Sequence, residues 1–231
     1  MSLKKIENMI IKAENISKSY RDGSKNLEVL KDLTLEISSP EIVIINGPSG
    51  SGKTTLLNIL STLDKADSGV LIINNQTISN NNNLLNSIRS KEIGVLFQSH
   101  HLLSEFTILE NLELPFKINS IIDHHDPMYL LEQVNLEDKA NKYPSQLSGG
   151  ECQRVALLRA IINKPRIVFA DEPTGSLDNK NLYIMIELIN KMKINYNMTF
   201  IIATHDERLC DLADKIYYLN DCKLTQDKIG G

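Results

Sequence analysis

Tryptophan is absent from this chain and aromatic residues make up only 5% of it. That removes the stacking platforms on which single-stranded nucleic-acid binders are built. A basic excess is missing too: lysine and arginine total 25 against 29 acidic residues, for a net charge of −4. A protein living on phosphate backbones carries a basic stripe, so no nucleic-acid partner is expected. Cysteine is scarce. Cys152, Cys210 and Cys222 form an odd set without C-x-x-C spacing, which argues against a disulfide framework or zinc site and for a reducing compartment. Long apolar runs are lacking as well. Behind Lys4 and Lys5 only Met9, Ile10 and Ile11 are consecutive, too few for the apolar stretch of a signal peptide. No segment approaches the ~18 apolar residues that span a bilayer. A soluble, cytoplasmic chain is expected, without direct membrane insertion, which would serve a membrane process only by docking onto a partner.

What is present is core material: 231 residues, 42% of them hydrophobic, at the upper end of one α/β domain. The first 40 residues alternate like strands, as in Leu33 to Ile37, with Gly23 in a polar turn. The pattern then changes. Ile42-Val43-Ile44-Ile45, Ile167-Val168-Phe169-Ala170 and Thr199 to Ala203 are short continuous apolar runs, as parallel strands buried on both faces require. Leu56, Ile59, Leu60 and Leu63 recur at helical spacing after the first run. Leu182, Met185, Ile186, Ile189 and Met192 do so between the other two. This alternation predicts a mainly parallel, doubly wound sheet with ligands at the carboxyl ends of its strands. Residues 99–160 read mainly as helix broken at Pro115, Pro127 and Pro144, a helical subdomain inserted in the core. Asn80-Asn81-Asn82-Asn83 reads as a surface loop between a strand near Val70–Ile73 and a segment beginning at Leu84.

The chemistry begins at Gly47-Pro48-Ser49-Gly50-Ser51-Gly52-Lys53-Thr54, a G-x-x-x-x-G-K-[ST] loop in the required strand–loop–helix setting. Its glycines let backbone N–H groups curl around phosphate oxygens, and the helix start adds its positive dipole end. Lys53 is expected to reach the β- and γ-phosphates, Thr54 to offer a hydroxyl to Mg²⁺, and Thr55 to reach a phosphate oxygen. At the end of the second buried run stand Asp171 and Glu172. Asp171 is placed to hold Mg²⁺ through a water, and Glu172 to accept a proton from the attacking water.

A phosphate loop alone says only that the chain uses a nucleoside triphosphate. Leu147-Ser148-Gly149-Gly150-Glu151-Cys152-Gln153-Arg154 narrows the class. Ser148 and Glu151 have capping-box spacing, with Val155, Leu158 and Ile162 as an apolar face, so a second anion-binding helix start is expected here. This segment resembles the signature motif of ATP-binding-cassette ATPases. The resemblance covers essentially the whole chain and implies a P-loop fold with an antiparallel β subdomain and an inserted helical subdomain, all one cassette over residues 1–231. It implies ATP and Mg²⁺ as cofactors. It also implies a head-to-tail homodimer, in which the loop of one chain and Leu147–Glu151 of the other enclose the same ATP. In that family Tyr20 corresponds to the aromatic that stacks on adenine and Gln98 to the glutamine that touches Mg²⁺ and faces the membrane partner. Ser176, Leu177 and Asp178 correspond to the loop crossing the dimer interface, and His205 to the switch histidine at the γ-phosphate. Glu151 replaces a glutamine common in the wider family, and Cys152 a polar or basic residue.

The segment Phe97 to Leu112 and the loop Arg21 to Asn26 are similar to those in ATPases of bacterial lipoprotein-releasing systems and the related macrolide-exporter type. That implies two integral membrane subunits, the same or different, with this chain on the cytoplasmic face of the inner membrane. The alternatives are an efflux ATPase, a cell-division ATPase, a soluble cassette in DNA repair or translation, and a non-hydrolysing regulator. Leu102, Leu103, Phe106 and Leu109 are expected along a docking groove, His100 and His101 on a partner-facing surface, and His124 and His125 in solvent.

Overall fold

The structure is a computed structural model that describes residues 9–23, 25–79, 82–175 and 177–226. Strands β1 (Met9–Asp22) and β2 (Lys25–Ser38) form a long hairpin whose turn contains Gly23. With β4 (Ser68–Ile73) and β5 (Gln76–Thr77) they make an antiparallel sheet in the order β2-β1-β4-β5. The second sheet has six strands in the order β10-β9-β3-β8-β7-β6. In it β3 (Ile42–Asn46), β6 (Ile93–Leu96), β7 (Ile167–Asp171), β8 (Thr199–Thr204) and β9 (Lys215–Asn220) run parallel, and β10 (Lys223–Gln226) adds an antiparallel edge.

The continuous apolar runs form parallel strands because both of their faces are covered. Alternate residues fall into separate cores. Ile42, Ile44, Val168, Ala170, Phe200 and Ile202 pack against helices α3 (Ile108–Asn119), α4 (Pro127–Glu132), α5 (Gly149–Ile161) and α6 (Asn179–Tyr196). Val43, Ile45, Ile167, Phe169, Ile201 and Ala203 pack with α1 (Lys53–Leu60) and the antiparallel sheet. A period of two thus divides each strand between two layers. The strands' carboxyl ends are left together at one edge, where the loops after β3, β7 and β8 meet.

Several expectations need correction. Leu63 is 45% exposed, because α1 stops at Leu60 and Thr62 turns left-handed (φ 63°). The asparagine run is only in part a loop: helix α2 spans Asn82–Lys91, held by buried Leu85 and Ile88, while Asn80 and Asn81 lie outside the described residues. Helix in the 99–160 segment begins only at Ile108. Pro115 does not break α3, although a proline inside a helix costs about 3 kcal/mol. The capping box of Thr107 with Glu110 and the fully buried Ile108 and Leu112 carry the helix through it. Pro127 instead opens α4, and Pro144 opens a short 3-10 turn.

His125 is not in solvent. It is 4% exposed, its ring edge-on to Tyr196 at the end of α6 with centroids 4.4 Å apart. Its backbone N–H donates to the Ile162 carbonyl. His124 stacks on Phe116 at 3.7 Å. Burial comes from partners that loop composition does not reveal. Of the four expected groove residues, Leu103 (44%) and Phe106 (37%) are exposed, whereas Leu102 is buried and Leu109 packs against the core.

Candidate nucleotide site

Gly52 sits left-handed (φ 102°) at the start of α1, a conformation that few side chains adopt. A Cβ there would also lie 2.8 Å from Val29. The loop Gly47–Gly52 therefore closes tightly over the helix start. Lys53 is 7% exposed, and its ammonium donates to the carbonyls of Gly47 (2.8 Å) and Pro48 (3.1 Å). The Ser51 hydroxyl is buried without a partner.

Beside this loop lies a cavity of about 510 Å³, lined by Tyr20, Val29, Ser49, Gly50, Gly52, Lys53, Thr54, Thr55, Gln98, Asp171, Glu172 and His205. Residues up to 156 positions apart, from Ser49 to His205, are collected there because β3, β7 and β8 are adjacent and parallel, and β1 of the other sheet adds Tyr20. The Thr54 hydroxyl donates to Asp171 Oδ2 at 2.7 Å, while Asp171 Oδ1 is buried without a partner. Burial pushes the Asp171 carboxyl up from its ordinary range, with the neighbouring Glu172 adding to the rise. Glu172 Oε1 lies 2.9 Å from His205 Nδ1 and 3.9 Å from Lys53 Nζ. At the far end, the Tyr20 hydroxyl donates to Asp64 Oδ2 at 2.8 Å. Lys18 pairs with Asp64 at 3.0 Å and lies 5.1 Å from the Tyr20 ring centroid. That ring is thus held from behind.

The signature segment stands elsewhere. Ser148 caps α5 with a reciprocal box: its N–H donates to Glu151 Oε2 at 2.8 Å, and Glu151 N–H donates to Ser148 Oγ at 3.3 Å. Lys139 binds Glu151 as well and, with the cap, holds its carboxyl below the ordinary range. A Cβ on Gly149 would meet only open space, whereas one on Gly150 would lie 3.1 Å from Asn181 and 3.2 Å from Leu177. Leu177 is buried and Asp178 caps α6, so the expected dimer loop abuts the signature helix. Ser176 lies outside the described residues. Leu147, Ser148, Gly149, Gly150 and Glu151 do not line the cavity of the phosphate loop.

Sequence reasoning missed Val29, which lines the cavity beside Gly52, and Lys18 and Asp64 around Tyr20. It also missed Gln153, buried on α5, whose Nε2 is 3.5 Å from the Phe97 carbonyl just before Gln98. Nothing local marks Lys18 or Asp64, since their link is a contact across 46 residues. Buried Arg154 donates to Asn181 of α6. His100 and His101 present their carbonyls to Arg159. Among the described residues no three His, Cys, Asp or Glu side chains are grouped to hold a metal. Nor is any helix there long and apolar enough to cross a membrane.

The sequence model of the ABC transporter family matches residues 30–175. The lipoprotein-releasing system ATP-binding protein LolD of Buchnera aphidicola subsp. Acyrthosiphon pisum is 45% identical over 208 residues, covering 88% of this chain and 91% of that protein. LolD of Pseudoalteromonas translucida is 42% identical, covering 95% and 97%, and that of Bacteroides thetaiotaomicron is 43% identical, covering 94% and 100%. Among solved structures, a dimeric post-hydrolysis state of the ATP-binding cassette MJ0796 bound to ADP and Pi superposes with a TM-score of 0.89. It is 36% identical, with 96% of this chain and 100% of that one covered. This chain belongs to the ABC transporter family, as an ATP-hydrolysing subunit of the LolD type.

Proposed function

We propose that this chain powers the release of lipoproteins from the bacterial inner membrane, acting as one cassette on the cytoplasmic face beneath two integral membrane subunits. The observation that carries the ATPase chemistry is the convergence of Lys53, Asp171, Glu172 and His205 on one cavity with the Thr54–Asp171 pair at its floor. Similarity over nearly the whole length to lipoprotein-releasing ATPases supports the cargo.

In this reading Tyr20, braced by Asp64, stacks on the adenine. The N–H groups of the loop Gly47–Gly52, the hydroxyls of Ser49, Ser51 and Thr55, and Lys53 hold the phosphates. The buried, orphaned Oδ1 of half-buried Asp171, beside the Thr54 hydroxyl and with Gln98 on the same wall, fits Mg²⁺. That ion takes hard oxygen ligands and is shared with phosphates rather than caged by protein alone. When bound it would neutralise charge developing on the phosphate oxygens. Glu172 takes the proton of the attacking water, and His205 faces the γ-phosphate. Leu147–Glu151 and Leu177–Asp178, which do not line their own chain's cavity, complete the site of a second copy in this reading, and the dimeric state of the MJ0796 cassette supports it. ATP then joins two cassettes, hydrolysis releases them, and the membrane subunits follow that motion.

Replacing Glu172 with Gln should keep ATP binding and lower hydrolysis about 10²-fold or more, while Lys53→Ala should weaken binding itself. Depleting the protein in its host should leave outer-membrane lipoproteins stranded in the inner membrane. Normal lipoprotein sorting with an efflux or division defect would assign the chain to one of those systems instead.

A further inference from the structure

One fully buried hydroxyl touches Glu172 and has no part in the reading above. Thr204 is the last residue of β8 and is 0% exposed. Its Oγ1 lies 3.1 Å from Glu172 Oε2 and accepts the N–H of Asp206 at 3.0 Å. A hydroxyl has a single proton, so accepting from Asp206 leaves that proton for the Glu172 carboxylate. Glu172 needs such a hold. Its backbone is left-handed (φ 46°) with its N–H on the Ala203 carbonyl at 2.8 Å, and its side chain has a flexible stem. The groups around it act on the carboxylate in different directions: Lys53 from α1 attracts it, Asp171 at the end of β7 repels it, and the His205 ring beyond β8 lies against its Oε1. Asp206 stiffens the same corner. Its Oδ2 accepts from Thr174 Oγ1 (3.0 Å) in the turn after β7 and from Arg208 (2.7 Å), and Arg208 also reaches Asn179 at the start of α6. The turns after β7 and β8 are therefore tied together on either side of His205.

We propose that Thr204 is a positioning residue for hydrolysis: its hydroxyl fixes one oxygen of the Glu172 carboxylate, and so aims the other toward the water at the γ-phosphate. This rests on the reading of Glu172 as the general base. Without the hydroxyl only the His205 contact at Oε1 holds the carboxylate, which can then turn onto the Lys53 ammonium 3.9 Å away, and that would occupy both groups. A misaimed base lowers the rate of the chemical step and leaves nucleotide affinity alone, and a displacement of about 1 Å is worth as much as 10²-fold.

The test is steady-state ATP hydrolysis by the assembled complex, with ATP affinity of the subunit measured alongside. Thr204→Val keeps the shape and removes the hydroxyl, and should lower kcat by about 10- to 10²-fold with KM and ATP affinity unchanged. Thr204→Ser restores the donor and should recover most of the rate. In a Glu172→Gln background Thr204→Val should cost nothing further, because there is no carboxylate to aim. Wild-type kcat in Thr204→Val would overturn the proposal. So would an equal loss in both backgrounds, or a loss that Ser does not rescue and that travels with a lower melting temperature. Turnover by Glu172→Gln alone at near the wild-type rate is a different failure, overturning the general-base reading beneath it.

Discussion

His125 illustrates what a single side chain can do once its neighbours are known. Burial beneath Tyr196 lowers its pKa from 6.5 to about 4, with the Lys164 cation contributing and Asp123 opposing. His124, stacked on Phe116, is the other titratable neighbour. Between pH 6.5 and about 4 the unfolded chain binds a proton there that the folded chain does not. Stability therefore rises with pH through that window and is lost as pH falls, by ~3 kcal/mol across it. Replacing His125 with Phe should flatten the acid side of a melting-temperature-against-pH curve over this range. An unchanged slope would show that other groups set it. Composition placed this residue in a solvated loop before Pro127. The contacts that bury it come from Ile162 and Tyr196, 37 and 71 positions away.

Elements were legible where packing is two-sided and regular. The runs at Ile42, Ile167 and Thr199 became β3, β7 and β8 with ends within a residue or so of those expected, because a strand covered on both faces has little choice of residue type. Less legible were the places where one element touches another's backbone. Gly94 on β6 is one: a Cβ there would lie 2.1 Å from the Ala160 carbonyl oxygen on α5. Gly94→Ala should destabilise by about 1–3 kcal/mol or more, lowering the melting temperature by about 3–10 °C at this size. Gly149→Ala, which would meet open space, should leave it within about 1 °C, since alanine fits a helix at least as well as glycine. Equal melting of the two variants would mean that β6 and α5 can separate without cost. Pro115 is the converse, a local signal for a break that a buried, capped helix overrides.

For the molecule as a whole, the separation of the two helix starts proposed to bind phosphate matters most. One follows the loop Gly47–Gly52 at the cavity, and the other, at Ser148, does not line that cavity and lies beside Leu177 and Asn181. The Glu172→Gln protein should therefore be largely monomeric without nucleotide and dimeric with ATP, as light scattering would report. Adding Gly149→Asp places a carboxylate where a second chain's phosphates would approach. It should abolish the dimer while leaving ATP binding to the monomer intact. Loss of monomer binding would put the signature in its own chain's site, and undiminished dimerisation would remove it from the interface.

The order of short-range patterns was enough to identify the cassette: G-x-x-x-x-G-K-T after one buried strand, Asp171-Glu172 ending another, a capping box at Ser148, and His205 after a third. Each is a local demand of backbone geometry on residue type, and such demands are written in consecutive letters. Contacts across the fold are not. That Asp64 and Lys18 brace Tyr20, that the Thr204 hydroxyl meets Glu172, and that Leu147–Glu151 stay out of their own chain's cavity follow from strand order and helix packing. Side chains tens of residues apart meet there because parallel neighbours bring the carboxyl ends of β3, β7 and β8 to one edge, a placement that only the three-dimensional arrangement decides.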